Sequence, residues 1–457
     1  MTETRRAFDI VVVGAGPAGI TAACEAAQAG KHVALLDCTP WLGGQIWRAE
    51  QTHSKSATAR RWLARLQQSS VAIRTRTTVV AVPARNALLT ETPDGALEIR
   101  WDKLILAPGA RELFVPFPGW TLPHVVGPGG LQAMTKTGWP VRGKRVVVAG
   151  SGPLLLAVAA DLRKRGARIC AIAEQTPWTR LAGFGAAVAP HPAKGIQGLG
   201  IGRRLIGVPY RCGWWPVHAE GDDQVRSVTL SNGARRVALE CDLLACAFGL
   251  VPNLELPLLM NCEAEAGFVK VDQEQQTTQP NVYCAGEATG IGGVDGAIVE
   301  GRIAGLCAAD RSDKARSLFL QRASWQRFAR RLDRAFALRD ELKSIATSET
   351  IICRCEDVTR QQLEPYDNWR AAKLHTRCGM GACQGRICGG AVRMLFGWQP
   401  SSVRPPVFPA RVSTLMDVPA ETLIAPSLRK EHDEPSSGIP SHQGRGSEAA
   451  IPHAGLH

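Results

Sequence analysis

Four apolar residues in a row, Ile10 to Val13, run into Gly14, Gly16 and Gly19 and then into a stretch rich in alanine. A short apolar run bounded by glycine reads as a strand buried on both faces, and the alanine-rich stretch as the helix that follows it. Val33 to Leu36 forms a second such run and ends on Asp37. The glycine-bearing loop TPWLGGQIWR comes next, then a predicted helix over Ala57 to Gln68 and several short strands as far as Arg100. LILAPGARE, Leu104 to Glu112, is an apolar strand broken by Pro108-Gly109-Ala110.

The plan then repeats. KRVVVAGSGPLLLAVAADLRKRGARICAIAE, starting at Lys144, gives a strand, Gly150 and Gly152, a helix and a second strand ending on Glu174. The chain therefore carries an internal duplication of βαβ units. Leu155 stands where the third glycine of the first unit would fall. Gly183 to Trp215, rich in Gly, Pro and Arg, is assigned to no element, and Cys241 to Asn253 reads as a returning strand. Pro280 to Gly305 supplies a strand, Gly286-Glu287, a glycine loop and a helix. Ala315 to Ile345 reads as one arginine-rich helix whose Phe319, Trp325, Phe328, Leu332 and Phe336 form a packing stripe. From about Lys430 the chain has no core pattern and reads as disordered.

The first unit has the chemistry of a dinucleotide site. A first glycine permits the tight turn, a second lets backbone approach a pyrophosphate, and a third allows close helix packing, with the helix N-terminus facing the phosphates. Asp37, about 20 residues further on, is placed to hold a ribose hydroxyl. In the second unit a leucine at the third position hinders that packing, so its phosphate site is altered or vestigial, and binding of NAD(P) or another nucleotide there is left open. Glu174 would suit a ribose hydroxyl and disfavour a 2′-phosphate.

Composition narrows the class. A chain of 457 residues, 45% hydrophobic and 21% charged, has room for two or three globular domains. The formal net charge of +13 comes from arginine spread along the chain without a nucleic-acid motif, so anionic cofactors or an acidic partner are expected and nucleic acid is not. No apolar run is long enough to span a bilayer. Arg5-Arg6 superficially resembles a twin-arginine export signal, but the next residues form the nucleotide strand, so a cytoplasmic protein is expected, with room for peripheral contact at the inner face of the membrane.

Of 14 cysteines, most are scattered through apolar segments (Cys24, Cys170, Cys246, Cys284, Cys307) and read as small hydrophobes. Five fall close together: Cys353, Cys355, Cys378, Cys383 and Cys388. Without an export signal, such clustering favours metal over disulfides. Zinc knuckles usually pair cysteines as C-x2-C and plant ferredoxins use C-x4-C-x2-C; neither spacing occurs here. Four thiolates from converging loops can still hold a [2Fe–2S] cluster, and Gly379, Gly381, Gly385 and Gly389 leave N–H groups free to approach sulfur. The residues alone leave open which four serve.

VVGAGPAG, LGGQIWR, LAPGARE, VVVAGSGPLLLAVA, the CAGE segment, CRCEDVT and GMGACQGRICG together resemble one family. It comprises the flavoprotein α subunits of multisubunit dehydrogenases of amino acids and opines, including opine oxidase, D-hydroxyproline and proline dehydrogenases, hydrogen cyanide synthase and part of sarcosine oxidase. The resemblance covers most of residues 8 to 420. It implies an α/β fold with two Rossmann-like domains of the glutathione-reductase type, the second inserted in the first, plus a small BFD-like α-helical iron–sulfur module. The boundaries it implies are an FAD-binding domain over 1–113 and 251–312 and a nucleotide-type domain over 114–250. A helical linker over 313–348, the module over 349–400, a C-terminal segment over 401–429 and the tail over 430–457 follow. FAD contacts would come from Gly14, Gly16, Pro17, Ala18, Gly19, Asp37, Gly44, Gln45, Gly109, Gly286 and Glu287, the last replacing the family's usual aspartate. Cys353, Cys355, Cys383 and Cys388 match the [2Fe–2S] ligands, and Cys378 is a spare.

The resemblance further implies an FAD-dependent, electron-transferring role beside a second flavoprotein (β) subunit, with room for a small ferredoxin-like subunit. The amine would be oxidised largely on that flavoprotein partner, and no catalytic base is assigned to this chain. The alternatives are a stand-alone NAD(P)H-dependent flavin reductase, a disulfide reductase, and a scaffold with a vestigial flavin site. A disulfide reductase needs two redox cysteines close in sequence near the flavin, and Cys38 has no such neighbour.

Overall fold

The structure, a computed structural model, describes residues 5–48, 56–188, 192–399 and 403–416. The expected disordered tail over 430–457 lies outside them. At its centre is β1 (Arg5–Val13), which pairs in parallel with β2 (Val33–Leu36). The sheet continues through β3 (Ala72–Arg74) on one side and, on the other, through β4 (Thr78–Ala84), β5 (Ala87–Thr92) and the long β6 (Gly95–Leu106). Its order is β3-β2-β1-β6-β5-β4. β1 is apolar throughout its second half because both faces are covered. Ile10 and Val12 pack with α1 (Pro17–Gln28) and α2 (Ala57–Gln67), while Val11 packs with Val79, Leu88 and Ile99. Alternate residues serve opposite faces, as the period of a strand requires.

Between β6 and the strand that completes this sheet, the chain builds a second one. After β7 (Ala110–Glu112) come β8 (Val125–Val126), α3 (Pro128–Lys136), β9 (Arg145–Gly150), α4 (Leu154–Lys164) and β10 (Arg168–Glu174). The stretch left unassigned by sequence forms α5 (Trp178–Val188), α6 (Pro192–Arg204) and β11 (Tyr210–Cys212). A three-stranded meander follows, β12 (Trp215–Glu220), β13 (Ser227–Ser231) and β14 (Arg236–Glu240). β15 (Leu243–Ala247) closes the parallel sheet, whose order is β11-β10-β9-β15-β8. β16 (Leu250–Pro252) pairs antiparallel with β7, so the two crossings between domains form one ribbon.

The chain then returns through α7 (Glu255–Leu259) and the small hairpin β17 (Ala264–Glu265) and β18 (Phe268–Val269). β19 (Val282–Cys284) joins the first sheet beside the C-terminal half of β6 and leads to α8 (Gly293–Ala308). α8 lies on α1 with almost no side chain between them. A Cβ at Gly301 would sit 2.1 Å from the Ala18 carbonyl oxygen, and one at Gly305 would sit 2.3 Å from that of Ala22.

The single helix expected over Ala315 to Ile345 is instead several pieces. They are α9 (Ser312–Ala315), a 3-10 turn over Arg316–Leu318, α10 (Phe319–Ala335) and a second 3-10 turn over Asp340–Ser344. The helix stops because residues 336–339 turn their backbone groups toward the second domain, in competition with further helical bonding. β20 (Ile351–Cys353), β21 (Val358–Thr359), α11 (Arg360–Leu363), α12 (Trp369–Thr376) and α13 (Cys388–Phe396) form a small module with its own core around Ile352, Leu363, Ala372 and Val392. The chain past it returns to the first sheet: Val407 N–H donates to the Val80 carbonyl at 2.8 Å, and Thr414, in α14 (Val412–Met416), donates to Glu91 at 2.8 Å. Among the described residues no helix is long and apolar enough to cross a membrane.

The contact of α8 on α1 tolerates no side chain at Gly301. Gly301→Val should lower unfolding free energy by about 3 kcal/mol through overpacking, whereas Gly198→Ala, which meets nothing within 4 Å on α6, should not destabilise. Urea denaturation midpoints of the two variants check the contrast.

Candidate functional site

The turn after β1 separates the three glycine roles. Gly14 has φ +104°, and a Cβ there would lie 2.1 Å from the Ala107 carbonyl oxygen at the end of β6. At Gly19 the distance to the Gly14 carbonyl oxygen would be 1.8 Å. A Cβ at Gly16 would meet nothing within 4 Å, so of the three only Gly16 has open space beside it. Pro17 opens α1 at a position where its missing N–H costs no helical bond. The Ala18 methyl lies 3.0 Å from where a Gly286 side chain would begin.

Asp37 is held at the end of β2 by Ala15 N–H at 2.7 Å on one oxygen and by Thr39 N–H and hydroxyl at 2.8 and 2.7 Å on the other. The loop bearing Gly44 and Gln45 folds over the turn. Gly43 N–H donates to the Ala15 carbonyl at 2.8 Å, and a Cβ at Gly44, φ +58°, would lie 2.9 Å from Gly16 Cα. Gln45 is exposed. Gly109, φ +70°, has open space beside it. Gly286 N–H donates to the buried Glu300 at 3.0 Å, and Gly293 N–H donates to one Glu287 oxygen at 3.0 Å. The second Glu287 oxygen is buried with no partner. Burial, with Glu300 nearby, pushes this carboxyl up to about 7.

These residues collect at the carboxyl ends of β1, β2, β6 and β19, where open α/β sheets bind their ligands. The opening at Gly16 fits a pyrophosphate, and the unsatisfied Glu287 oxygen fits a hydroxyl group of the same dinucleotide. Sequence reasoning passed over Thr39, Arg48 and Glu300. Arg48 was in view as the last residue of LGGQIWR, but nothing in the sequence says that its Nε is buried.

The second turn copies the first in part. A Cβ at Gly150, φ +131°, would lie 1.7 Å from the Ala247 carbonyl oxygen, as Gly14 meets Ala107. Leu155 is buried among Val146, Val148 and Val158, and α4 begins at Leu154, past Pro153, whereas α1 begins at the corresponding Pro17. Glu174 is 1% exposed. Its oxygens accept from Gly152 N–H at 2.8 Å and Thr176 N–H at 2.9 Å, and burial raises its pKa.

The five clustered cysteines come together. Cys353 ends β20, Cys388 opens α13, and Cys378 follows Arg377, which is left-handed at φ 63°. The sulfurs of Cys353, Cys378 and Cys388, all buried, lie within 4.8 Å of one another. Cys383 bonds to Cys388 and to the exposed Cys355. Cys378, a spare in the ligand set that the family resemblance implies, is part of the buried triad. Hydrogen bonds among these sulfurs lower the Cys353 and Cys383 thiols and raise those of Cys378 and Cys388, so the cluster shares its protons unevenly. Thiolate is the form that binds metal. Gly379 N–H donates to Cys353 sulfur at 3.4 Å, and a Cβ at Gly381 would lie 2.3 Å from that of Cys355. Elsewhere, burial pushes the thiols of Cys24, Cys246 and Cys284 up, as expected of inert core residues.

The cysteine module and the Gly109 turn are physically joined. A Cβ at Gly390 on α13 would lie 2.6 Å from Leu113 and 3.4 Å from Val251, at the end of the interdomain ribbon. Arg386 donates to the Cys383 carbonyl at 3.3 Å and faces Glu255 at 4.0 Å. Glu255 pairs with Arg111 at 2.8 Å, and Arg111 donates to Asn253 at 2.8 Å. Asn253 closes the series with bonds to the carbonyls of Pro108 at 2.8 Å and Gly109 at 3.0 Å.

Residues 8–303 match the family model of pyridine nucleotide-disulphide oxidoreductases. The chain is 32% identical to hydrogen cyanide synthase subunit HcnB of Pseudomonas protegens, over 83% of this chain and 90% of that one. It is 30% identical to an opine oxidase subunit from Agrobacterium tumefaciens, over 96% of this chain and 98% of that one. The L-proline dehydrogenase structure from P. horikoshii shares the fold, with a TM-score of 0.61 at 21% identity over 90% of this chain and 80% of that one. The chain belongs to the pyridine nucleotide-disulphide oxidoreductase family, within the group of flavoprotein subunits that includes those of hydrogen cyanide synthase and opine oxidase, and is a flavin-dependent oxidoreductase.

Proposed function

We propose that this chain is the electron-transferring subunit of a multisubunit dehydrogenase of amino acids or opines, with FAD in the first domain and a [2Fe–2S] cluster in the C-terminal module. The observation that carries this reading is the unbroken series Cys383, Arg386, Glu255, Arg111, Asn253, Gly109, which ties the cysteine cluster to the turn bordering the dinucleotide cradle. Flavin accepts electrons in pairs and can release them singly, and a two-iron cluster carries one. Gly14, Gly16, Pro17, Ala18 and Gly19 would receive the pyrophosphate, Asp37 the adenosine ribose, Gly44 and Gln45 the covering loop contacts, and Gly109, Gly286 and Glu287 the flavin end. Cys353, Cys355, Cys383 and Cys388 would ligate the cluster, with Gly379 N–H directed at sulfur. No residue is assigned as a catalytic base. The oxidation of the CH–NH substrate is placed on a second flavoprotein subunit, in keeping with relatives that are themselves subunits.

Gly16→Val should purify folded but without flavin, because at φ −78° a valine fits the backbone and fills only the space a cofactor needs. Full FAD absorbance in that variant would remove Gly16 from the site.

Single serine replacements at Cys353, Cys355, Cys383 and Cys388 should each lower iron and sulfide content and weaken the paramagnetic resonance signal of the dithionite-reduced protein, while Cys378→Ser should leave it. A Cys378 change that alone erased the signal would transfer the assignment to the buried triad plus Cys383. Zinc in place of iron would give no such signal.

Turnover tests the function itself. The isolated chain with an artificial acceptor should oxidise proline, hydroxyproline, glycine or opines poorly, and addition of the second flavoprotein should restore activity. Full turnover by this chain alone would refute its role as a relay.

A further inference from the structure

At the second dinucleotide-type crevice a segment of the chain itself lies against the strand ends, while a Cβ at Gly152, the counterpart of Gly16, would meet nothing within 4 Å. Ligands of such domains lie across the carboxyl ends of the parallel strands, here the ends of β9 and β10. At that point Ser151, next to Gly150, donates its hydroxyl to the Phe336 carbonyl at 3.2 Å. Gln175, next to Glu174 and fully buried, directs its amide nitrogen to the carbonyls of Phe336 and Ala337 at 3.4 and 3.3 Å and to the Ser151 hydroxyl at 3.0 Å. Its oxygen accepts from Arg339 N–H at 3.3 Å. Arg180 donates to the Ala337 carbonyl at 3.2 Å.

Apolar contacts hold the same segment down. The Phe336 ring meets Phe184 edge-on at 5.3 Å, and the Arg339 guanidinium lies 4.9 Å over Trp215. Leu338 and the fully buried Leu342 pack into the core formed by Val147, Ala149 and Ala173 beneath the strand ends.

The internal duplication shows which residues make the difference. Gly150 corresponds to Gly14 and Glu174 to Asp37, so Ser151 stands where the first unit has Ala15, and Gln175 where it has Cys38. Ala15 offers no side-chain hydrogen bond, and Cys38 is exposed. The two side chains that fasten residues 336–339 are therefore among those at which the two units differ, Leu155 in place of Gly19 being another. Two polar side chains that a dinucleotide would meet are already bonded to the segment: the Ser151 hydroxyl and the Gln175 amide.

We propose that residues 336–339 are a built-in occupant of the second dinucleotide crevice, fastened by Ser151 and Gln175, and that this segment excludes pyridine nucleotide from the domain. A tethered segment competes at a high effective concentration, so a free nucleotide must displace several bonds at once. This inference does not rest on the proposed function, since neither the cluster nor a partner subunit enters it.

The test uses the full chain and NADH. Wild type should show no saturable binding by calorimetry up to about 1 mM NADH, and hydrogen exchange at 150–152, 174–176 and 336–340 should be slow and unchanged by nucleotide. Gln175→Ala, and separately the pair Phe336→Ala with Arg339→Ala, should speed exchange at 336–340 and raise NADH affinity at least tenfold, with circular dichroism unchanged. The paired variant leaves the buried Gln175 intact, so failure of one variant to fold still leaves a test. Saturable NADH binding to wild type with new protection at 150–152 would overturn the inference. So would a variant that releases the segment and gains no nucleotide affinity.

Discussion

The approach of backbone to backbone at Gly14 is the constraint from which the rest of the molecule is laid out. Gly14 N–H donates to the Leu36 carbonyl at 2.8 Å, and Ala107 N–H donates to the Val13 carbonyl at 2.8 Å, so the ends of β1, β2 and β6 meet at one residue. A side chain at Gly14 would stand inside the Ala107 carbonyl. Because three strand ends converge there, Asp37 reaches the turn and the Pro108-Gly109 segment leaves from beside it. The repeat of the same contact between Gly150 and Ala247 organises the second domain around its own sheet.

Placing both sites on one chain depends on the ribbon of β7 and β16. It is short, three residues in each strand, and starts one residue past Gly109. The module packs α13 against its end, with Gly390 small enough to admit Leu113. Arg111, Glu255 and Arg386 then fill the polar gap as a charge series in which each arginine faces the shared acid. These charges are largely screened from water, and an unpaired member would be costly, so the module has one favourable seat on the ribbon. The return of the chain to Val80 and Glu91 fixes that seat from the other side.

The two halves of the duplication show how one supersecondary plan is put to different uses. In both, the middle glycine, Gly16 or Gly152, stays open; in the first, the third glycine lets the helix begin at Pro17. In the second, Leu155 joins the core and α4 begins at Leu154. The same leucine read from sequence as an obstacle to phosphate binding is in the fold a core residue. Residues 336–339, which no local pattern in the second unit announces, bond to Ser151 and Gln175 at its strand ends.

The sequence by itself determined the duplicated βαβ plan, the glycine roles of the first turn, the acid at the end of β2 and the grouping of cysteines near the C-terminus. Each of these is a local matter: a strand has its period, a tight turn needs a positive φ, and five cysteines close in sequence can be counted. Tertiary structure decided what depends on segments far apart in the chain. It broke the expected helix after Ala335 because residues 336–339 find carbonyl partners in Ser151 and Gln175, and it brought Cys378 into the buried triad because Gly379 and Gly381 let the loop close on Cys353 and Cys355. It also left one oxygen of Glu287 and the Nε of Arg48 buried and unpartnered. The physical reason is common to all three. Hydrogen bonding and burial are satisfied over the whole fold, so a residue's partner can be chosen by a segment more than a hundred positions away, which no local pattern encodes.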